Sequence, residues 1–412
     1  TVAGVRRARH LAKHLPTHGW QPTVLCVDEA YHSERLDPEL EKLLPAGIEA
    51  LKVPALSASR MRRFGIGDIG LRAYPPLYTS IQQAVNARNI DAVMITGSPF
   101  YPFLLARRIK RELKKPVLLD FQDPWVSTYG ASRKQFTKAC AAHHLAKWLG
   151  PRAVASADFI TSVSARQNDE LLARYPSFPR GQVAAIPIGG DAGDFEFLRA
   201  NPPLRREVNL PLGRINFSYV GTVLPRSAPL FEALFSAIRR LRTSQEAWVE
   251  RLQFNFVGTS NQPNGFGDFR LRGLAERYGI GDLVHETTQR VPYLQALDVL
   301  ASSSALCLIG SDEPHYTASK IYPGLLSGRP FLALFHRASS AHDILSRAGG
   351  GRVLGFDSSL QLPAMVDAIA ESIRHLALVP QSFGIADASI CDEYDASVIS
   401  GRFAAIFNSL LG

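Results

Sequence analysis

Short apolar runs rich in β-branched residues alternate with amphipathic stretches along the whole chain, and this alternation is its strongest structural constraint. In the first half the runs Thr23–Val27, Ala92–Thr96, Val117–Phe121, Phe159–Val163 and Val183–Pro187 predict strands. In the second half the strands are expected at Ile215–Val220, Leu252–Val257, Ala305–Ile309 and Phe331–Phe335. Between them, three- and four-residue apolar spacing predicts helices at Tyr101–Leu113, Thr137–Leu149, Ala165–Tyr175, Leu230–Leu241, Phe269–Tyr278, Tyr293–Ser302, Ser319–Ser327 and Ala341–Ala348. Strands that are apolar on both sides and separated by helices belong to parallel sheets covered on both faces. The expected class is therefore α/β. A chain of 412 residues fits two such sheets at roughly 150 residues per domain.

The stretch Gly189–Pro211, rich in Gly, Pro and charge, is the expected boundary. The division predicted is an N-terminal domain over 1–195, a C-terminal domain over 196–390, and a tail over 391–412. The helix expected at Ser397–Leu411 is of the kind that crosses back to the first domain. The sequence has no initiator Met and opens in a helical pattern, so a preceding segment with the first strand is expected.

Composition excludes several classes. With 46% hydrophobic and 20% charged residues, the chain is not disordered. Cys26, Cys140, Cys307 and Cys391 are far apart and form neither a disulfide framework nor a zinc site, which suits a reducing compartment. No apolar run reaches the ~18 residues of a membrane span. The net charge of +9 is concentrated in Arg6–Arg9, Arg60–Arg63 and Arg107–Arg111. These clusters form either a solvated basic surface or a face for anionic lipid headgroups. They lack interleaved aromatics, and no nucleic-acid partner is expected.

Two strands end alike, Tyr219-Val220-Gly221-Thr222 and Phe256-Val257-Gly258-Thr259. A glycine at the carboxyl end of a parallel strand lets the backbone approach an anion, and the next helix offers free N–H groups and a positive dipole end. A tight strand-to-helix turn would want the same glycine. Arg226 follows where it could reach an anion held at Gly221. The tract Asp312–Phe331 contains a helix start near Thr317–Ser319 and a cation, Lys320, in the expected first turn. A cation there opposes the dipole and points to an anionic ligand or an acidic neighbour. The histidines, His143-His144 included, have no metal-ligand spacing, and there is neither a G-x-S-x-G elbow nor a Walker A loop.

The Asp312–Phe331 tract resembles the donor-site helix of the GT-B glycosyltransferases of retaining family 4. There, Ser-Lys-hydrophobic-aromatic-Glu is followed by Ser/Ala-Gly-Lys/Arg-Pro; here the residues are Ser319-Lys320-Ile321-Tyr322 and Ser327-Gly328-Arg329-Pro330. Val291-Pro292-Tyr293 is similar to that family's Val-Pro-Tyr loop, and Phe217–Thr222 to the strand and loop opening its donor domain. Asp120-Phe121-Gln122-Asp123-Pro124-Trp125 resembles an Asp-Phe-Arg-Asp-Pro-Trp motif of some bacterial members. Ile188–Asp191 with Phe195 resembles an Asn-Gly-x-Asp-x-x-x-Phe element between the domains.

The resemblance implies a GT-B fold, two Rossmann-like domains facing each other across a cleft. It implies transfer of a sugar from a nucleoside diphosphate such as a UDP- or GDP-sugar, with retention and without metal or other cofactor. The acceptor would be a glycan, a lipid-linked or a small molecule, handled in the cytoplasm or at the inner membrane face. Gly221, Thr222 and Arg226 would contact the diphosphate. Lys320, with Ser319 and Thr317 at the same helix start, would face it and neutralise it as it leaves. Val291 and Pro292 would lie near the nucleobase, and Asp120, Asp123 and Trp125 on the acceptor side. The pattern departs at His315 and Pro323, where the family has two glutamates, the second binding the ribose, and at Gln122, where many members have histidine. Loss of the second carboxylate leaves room for another reading, a GT-B protein without turnover that binds or scaffolds. A third use of the fold, epimerisation of a nucleotide-sugar, would need acid/base groups that the C-terminal half does not offer.

Overall fold

A computed structural model of the chain describes residues 3–32, 36–45, 47–126, 137–260, 267–314, 316 and 319–412. The chain forms two compact units. The first comprises Val2–Ser33, Leu44–Ile188 and Ala396–Gly412; the second comprises Glu34–Leu43 and Gly189–Asp395.

The first unit contains β1 (Thr23–Val27), β2 (Glu49–Val53), β3 (Val93–Gly97), β4 (Val117–Phe121), β5 (Phe159–Ser162) and β6 (Val183–Ala185). They form a parallel pair β1-β2 and a parallel four-stranded sheet in the order β3-β4-β5-β6. Thus the first-half strands do not all join one sheet. The strand β2 was not expected, because Glu49-Ala50-Leu51-Lys52-Val53 mixes charge with apolar residues.

The strand β4 is fully buried and sorts its residues by alternation. Val117, Leu119 and Phe121 enter a core with Phe103, Ile109 and Ile160. Leu118 enters a second core with Leu11 of the Ala3–His14 helix, Leu15 of the Leu15–His18 turn that follows it, and Phe403 and Phe407 of the Ala396–Leu411 helix. Asp120 shares the Leu118 side of the pleat, which sets it against Arg7 of that first helix.

The second unit holds a six-stranded parallel sheet of β7 (Ile215–Val220), β8 (Leu252–Val257), β9 (Val284–Thr287), β10 (Ala305–Ile309), β11 (Phe331–His336) and β12 (Gly351–Phe356). Its order is β12-β11-β10-β7-β8-β9. Numbered within the sheet this is 6-5-4-1-2-3, the Rossmann order. Its core is aromatic, built on Phe217, Phe254 and Phe256 from strands and Phe231 and Phe235 from the Ala228–Thr243 helix. That helix buries Leu230, Phe231, Leu234, Phe235, Ile238 and Leu241, the three- and four-residue spacing of a single apolar face.

Two of these strands, β9 and β12, lie outside the expected set. The helix expected over Phe269–Tyr278 is confined to Arg272–Arg277, and that expected over Ser319–Ser327 to Ile321–Leu326.

Candidate active site

The direction in which strands are added to the six-stranded sheet reverses between β7 and β10. In open α/β sheets ligands bind beyond the carboxyl ends of the strands at this switch point. The strand β7 ends at Val220 and passes into Gly221; β10 ends at Ile309 and passes into Gly310 and Ser311. Loops from these two strands are stitched together. Ser227 Oγ donates to the Gly310 carbonyl at 2.6 Å, and the Asp312 N–H to the Arg226 carbonyl at 3.3 Å.

Gly221 has φ 145°, a conformation that side chains with a Cβ avoid. A Cβ added there would also lie 3.5 Å from Cδ of Lys320, so the lysine stem passes across the glycine. Lys320 occupies the N-cap of the Ile321–Leu326 helix rather than its first turn. Its Nζ donates to the Tyr219 hydroxyl at 2.8 Å and lies 4.0 Å from the centre of that ring. The residue is half-buried, but protein atoms crowd its ammonium, and this desolvation lowers the pKa from 10.5 to about 7. Sequence reasoning missed Tyr219, although a tyrosine directly before Val-Gly at the end of an apolar strand was a usable signal.

Arg226 projects from the Pro225–Ser227 turn just before the Ala228–Thr243 helix. It is not free-standing: its guanidinium pairs with Asp312 at 2.7 Å and Glu313 at 3.4 Å. The acidic neighbours anticipated for a cation in this tract thus serve Arg226. Thr222 is half-buried, and its carbonyl accepts the Tyr219 hydroxyl at 2.8 Å. Ser319 is half-buried beside Lys320. His315 and Thr317 lie outside the described residues. Pro323 is buried inside the helix.

The second glycine end, at Gly258, differs from expectation. The carboxylate of Glu286 on β9 accepts the Thr259 hydroxyl at 2.6 Å and the N–H groups of Arg270, Leu271 and Arg272, each at 2.9 Å. The helix start that could have met a phosphate is capped by the protein's own carboxylate. Val291 is also less available than expected, because it packs with Val208, Val257 and Val299. Pro292 is the N-cap of the Tyr293–Ser302 helix, whose Tyr293 N–H is taken by Asp37 at 2.6 Å.

In the first unit, Asp120 needs correction. It is fully buried and accepts from Arg7 Nε at 3.3 Å, Thr96 at 2.9 Å, Thr161 at 2.7 Å and Gln122 at 3.3 Å. Arg7 also donates to the carbonyls of Ile186 and Pro187 and lies over the Phe403 ring. A carboxylate so enclosed ties helix to sheet and has no surface left for an acceptor. Gln122 is drawn into the same network through Thr96, 2.6 Å away. Asp123 is exposed, and Trp125 is half-buried, stacked on Phe100 at 5.8 Å.

The parallel sheets and the switch-point loops define an α/β protein of the GT-B class. Residues 3–189 match the family of the glycosyl transferase 4-like domain. Several solved structures are similar to almost the whole chain. Anabaena HepE in complex with UDP is 15% identical, with a TM-score of 0.61, over 99% of this chain and 96% of that one. A Rickettsia africae glycosyltransferase is 13% identical (TM-score 0.62; 99% and 95% covered), and sucrose-phosphate synthase from Thermosynechococcus elongatus 14% (TM-score 0.63; 99% and 92% covered). At such identities the likeness speaks for the fold. No curated protein matches the chain.

Proposed function

We propose that this protein transfers a sugar from a UDP- or GDP-sugar to a glycan, lipid-linked or small-molecule acceptor, retaining the anomeric configuration. The observation that supports this most is the convergence of Gly221, Arg226 and Lys320 on the switch point of a Rossmann sheet. HepE has been crystallised with UDP and with UDP-glucose, which favours a nucleoside diphosphate here too. Lys320 would take the charge of the departing diphosphate, and Arg226 would share its guanidinium between Asp312 and the phosphates. Such a site places the neutralising charge on side chains, so turnover should survive EDTA. Titration calorimetry with UDP, GDP and their sugars tests the donor. Micromolar to millimolar binding of one of them is expected, and no binding by any would sink the reading.

The acceptor is placed, in this proposal, at an anionic membrane surface on the cytoplasmic side. Arg60, Arg62 and Arg63 are exposed, and Phe64 beside them is 77% exposed, a basic patch with an apolar tip. No helix among the described residues is long and apolar enough to cross a membrane. Flotation with vesicles containing anionic lipid should carry the protein up, and neutral vesicles should not. Triple replacement of these arginines by Glu should abolish flotation. Equal recovery with both vesicle types would remove the membrane from the proposal.

Pro323 supports a second reading. Buried in the helix where the resemblance asks for a carboxylate, it offers the ribose hydroxyls no acceptor. A protein that keeps the fold without turnover and acts as a binding or scaffolding subunit would follow, and measurable wild-type transfer excludes it.

A further inference from the structure

We propose that Tyr219 is a positioning residue, whose hydroxyl holds the Lys320 ammonium and the Thr222 carbonyl in one register across Gly221. The inference rests on the reading of Lys320 as the cation that meets the donor diphosphate.

The ring of Tyr219 belongs to the aromatic core. It packs edge-on against Phe231 at 5.4 Å and lies 6.0 Å from Phe256. Its neighbours there, Phe217, Phe231, Phe235, Phe254 and Phe256, are phenylalanines, and a phenylalanine at 219 would fill the same space. The hydroxyl is therefore not required by packing. Burying it costs free energy unless both its donor and its acceptor capacity are used. Both are used. The O–H donates to the Thr222 carbonyl at 2.8 Å, and the oxygen accepts from Lys320 Nζ at 2.8 Å.

These two bonds act on different things. The first closes the turn through Gly221, whose φ of 145° makes this short segment the point where the backbone bends away from β7. The second fixes the end of a long, flexible side chain, whose stem lies 3.5 Å from the Cβ position of Gly221 and whose Nζ lies 4.0 Å from the centre of the Tyr219 ring, a contact that a phenylalanine would keep. Among the described residues the Tyr219 oxygen is the hydrogen-bond partner of this ammonium. Lysine and loop are thus set by one atom. Burial lowers the lysine's affinity for its proton, and an oxygen that accepts from the charged amine opposes that loss.

Tyr219→Phe tests the assignment, since it keeps the ring and the fold. Competitive acetylation of Lys320 against pH, read by mass spectrometry, reports the amine alone. In the variant the midpoint should fall by about one pH unit, the equivalent of about tenfold in proton affinity. An unchanged midpoint overturns the proposal. Titration with UDP or GDP, whichever binds the wild type, should then show affinity lowered about tenfold by Tyr219→Phe, and no further loss when it is added to Lys320→Met. A full tenfold loss in the Lys320→Met background would show that Tyr219 acts without Lys320, and would also overturn it. If neither nucleotide binds the wild type, the donor reading has failed, while the acetylation midpoint still decides whether Tyr219 holds Lys320.

Discussion

Lys320→Met is expected to lower transfer from a nucleotide-sugar by about 100- to 1000-fold, the loss seen when one preorganised charge or donor is removed from a developing anion. The effect should fall on kcat more than on KM, because the diphosphate gains charge as the sugar leaves. The wild type should show a distinctive pH dependence. Lys320 in the empty protein has a pKa of about 7, whereas the unfolded value is 10.5. An anion beside it favours the ammonium, so binding above pH 7 takes up a proton. Affinity for the nucleoside diphosphate should then decline as pH rises above 7, by at most about tenfold per unit. Lys320→Arg keeps a charge that does not titrate and should flatten that decline. A slope that persists in the Arg variant would mean that another group takes the proton. Stability has the opposite slope. Between about pH 7 and 10 the unfolded chain holds a proton on Lys320 that the folded one lacks, so this residue's contribution to stability improves as pH rises.

The second large effect is on folding. Asp120→Ala strands the guanidinium of Arg7, a residue 1% exposed, with no opposite charge. Breaking a buried pair in this way costs about 3–5 kcal/mol. The first transition in urea unfolding should move by that amount, while nucleotide affinity of the folded fraction stays at the wild-type value. Replacing both partners with apolar residues, Arg7→Met with Asp120→Leu, should recover part of the loss. If Asp120→Ala were within 1 kcal/mol of wild type and transfer collapsed, the carboxylate would have an acceptor role after all.

Asp120 illustrates what could be read from residues in order and what could not. A carboxylate at the end of a buried strand is equally suited to a cleft or to an internal cation. Its cation lies 113 positions earlier in the chain, on a helix whose pairing no local pattern reveals. The central strands were legible because both faces are apolar, and β4, β8 and β10 lie where the runs of Val, Leu and Phe placed them. The strand β9, Val284-His285-Glu286-Thr287, was not, because Glu286 is spent on capping the preceding Arg272–Arg277 helix. The strand β12 was hidden by its glycines. Gly351 is required because a Cβ would fall 2.5 Å from the Phe331 carbonyl, a closeness visible only once the strands are paired. At the site, Gly221, Arg226 and Lys320 were legible as a glycine turn and two cations in the right tracts. Their partners Tyr219, Asp312 and Glu313 act through three-dimensional proximity that spacing does not encode.

The chain's path through the two units bears on its synthesis. The first unit is left after Ile188 and re-entered only at Ala396, and its second core needs Phe403 and Phe407 against Leu11, Leu15 and Leu118. A ribosome that has already delivered the whole Rossmann sheet of the second unit still holds the residues that complete the first. During elongation the earlier-made half therefore waits with an open apolar face and the Arg7–Asp120 pair unshielded by Phe403. Loss of the Ala396–Leu411 helix would be felt at Leu11 and Leu15, almost four hundred positions earlier.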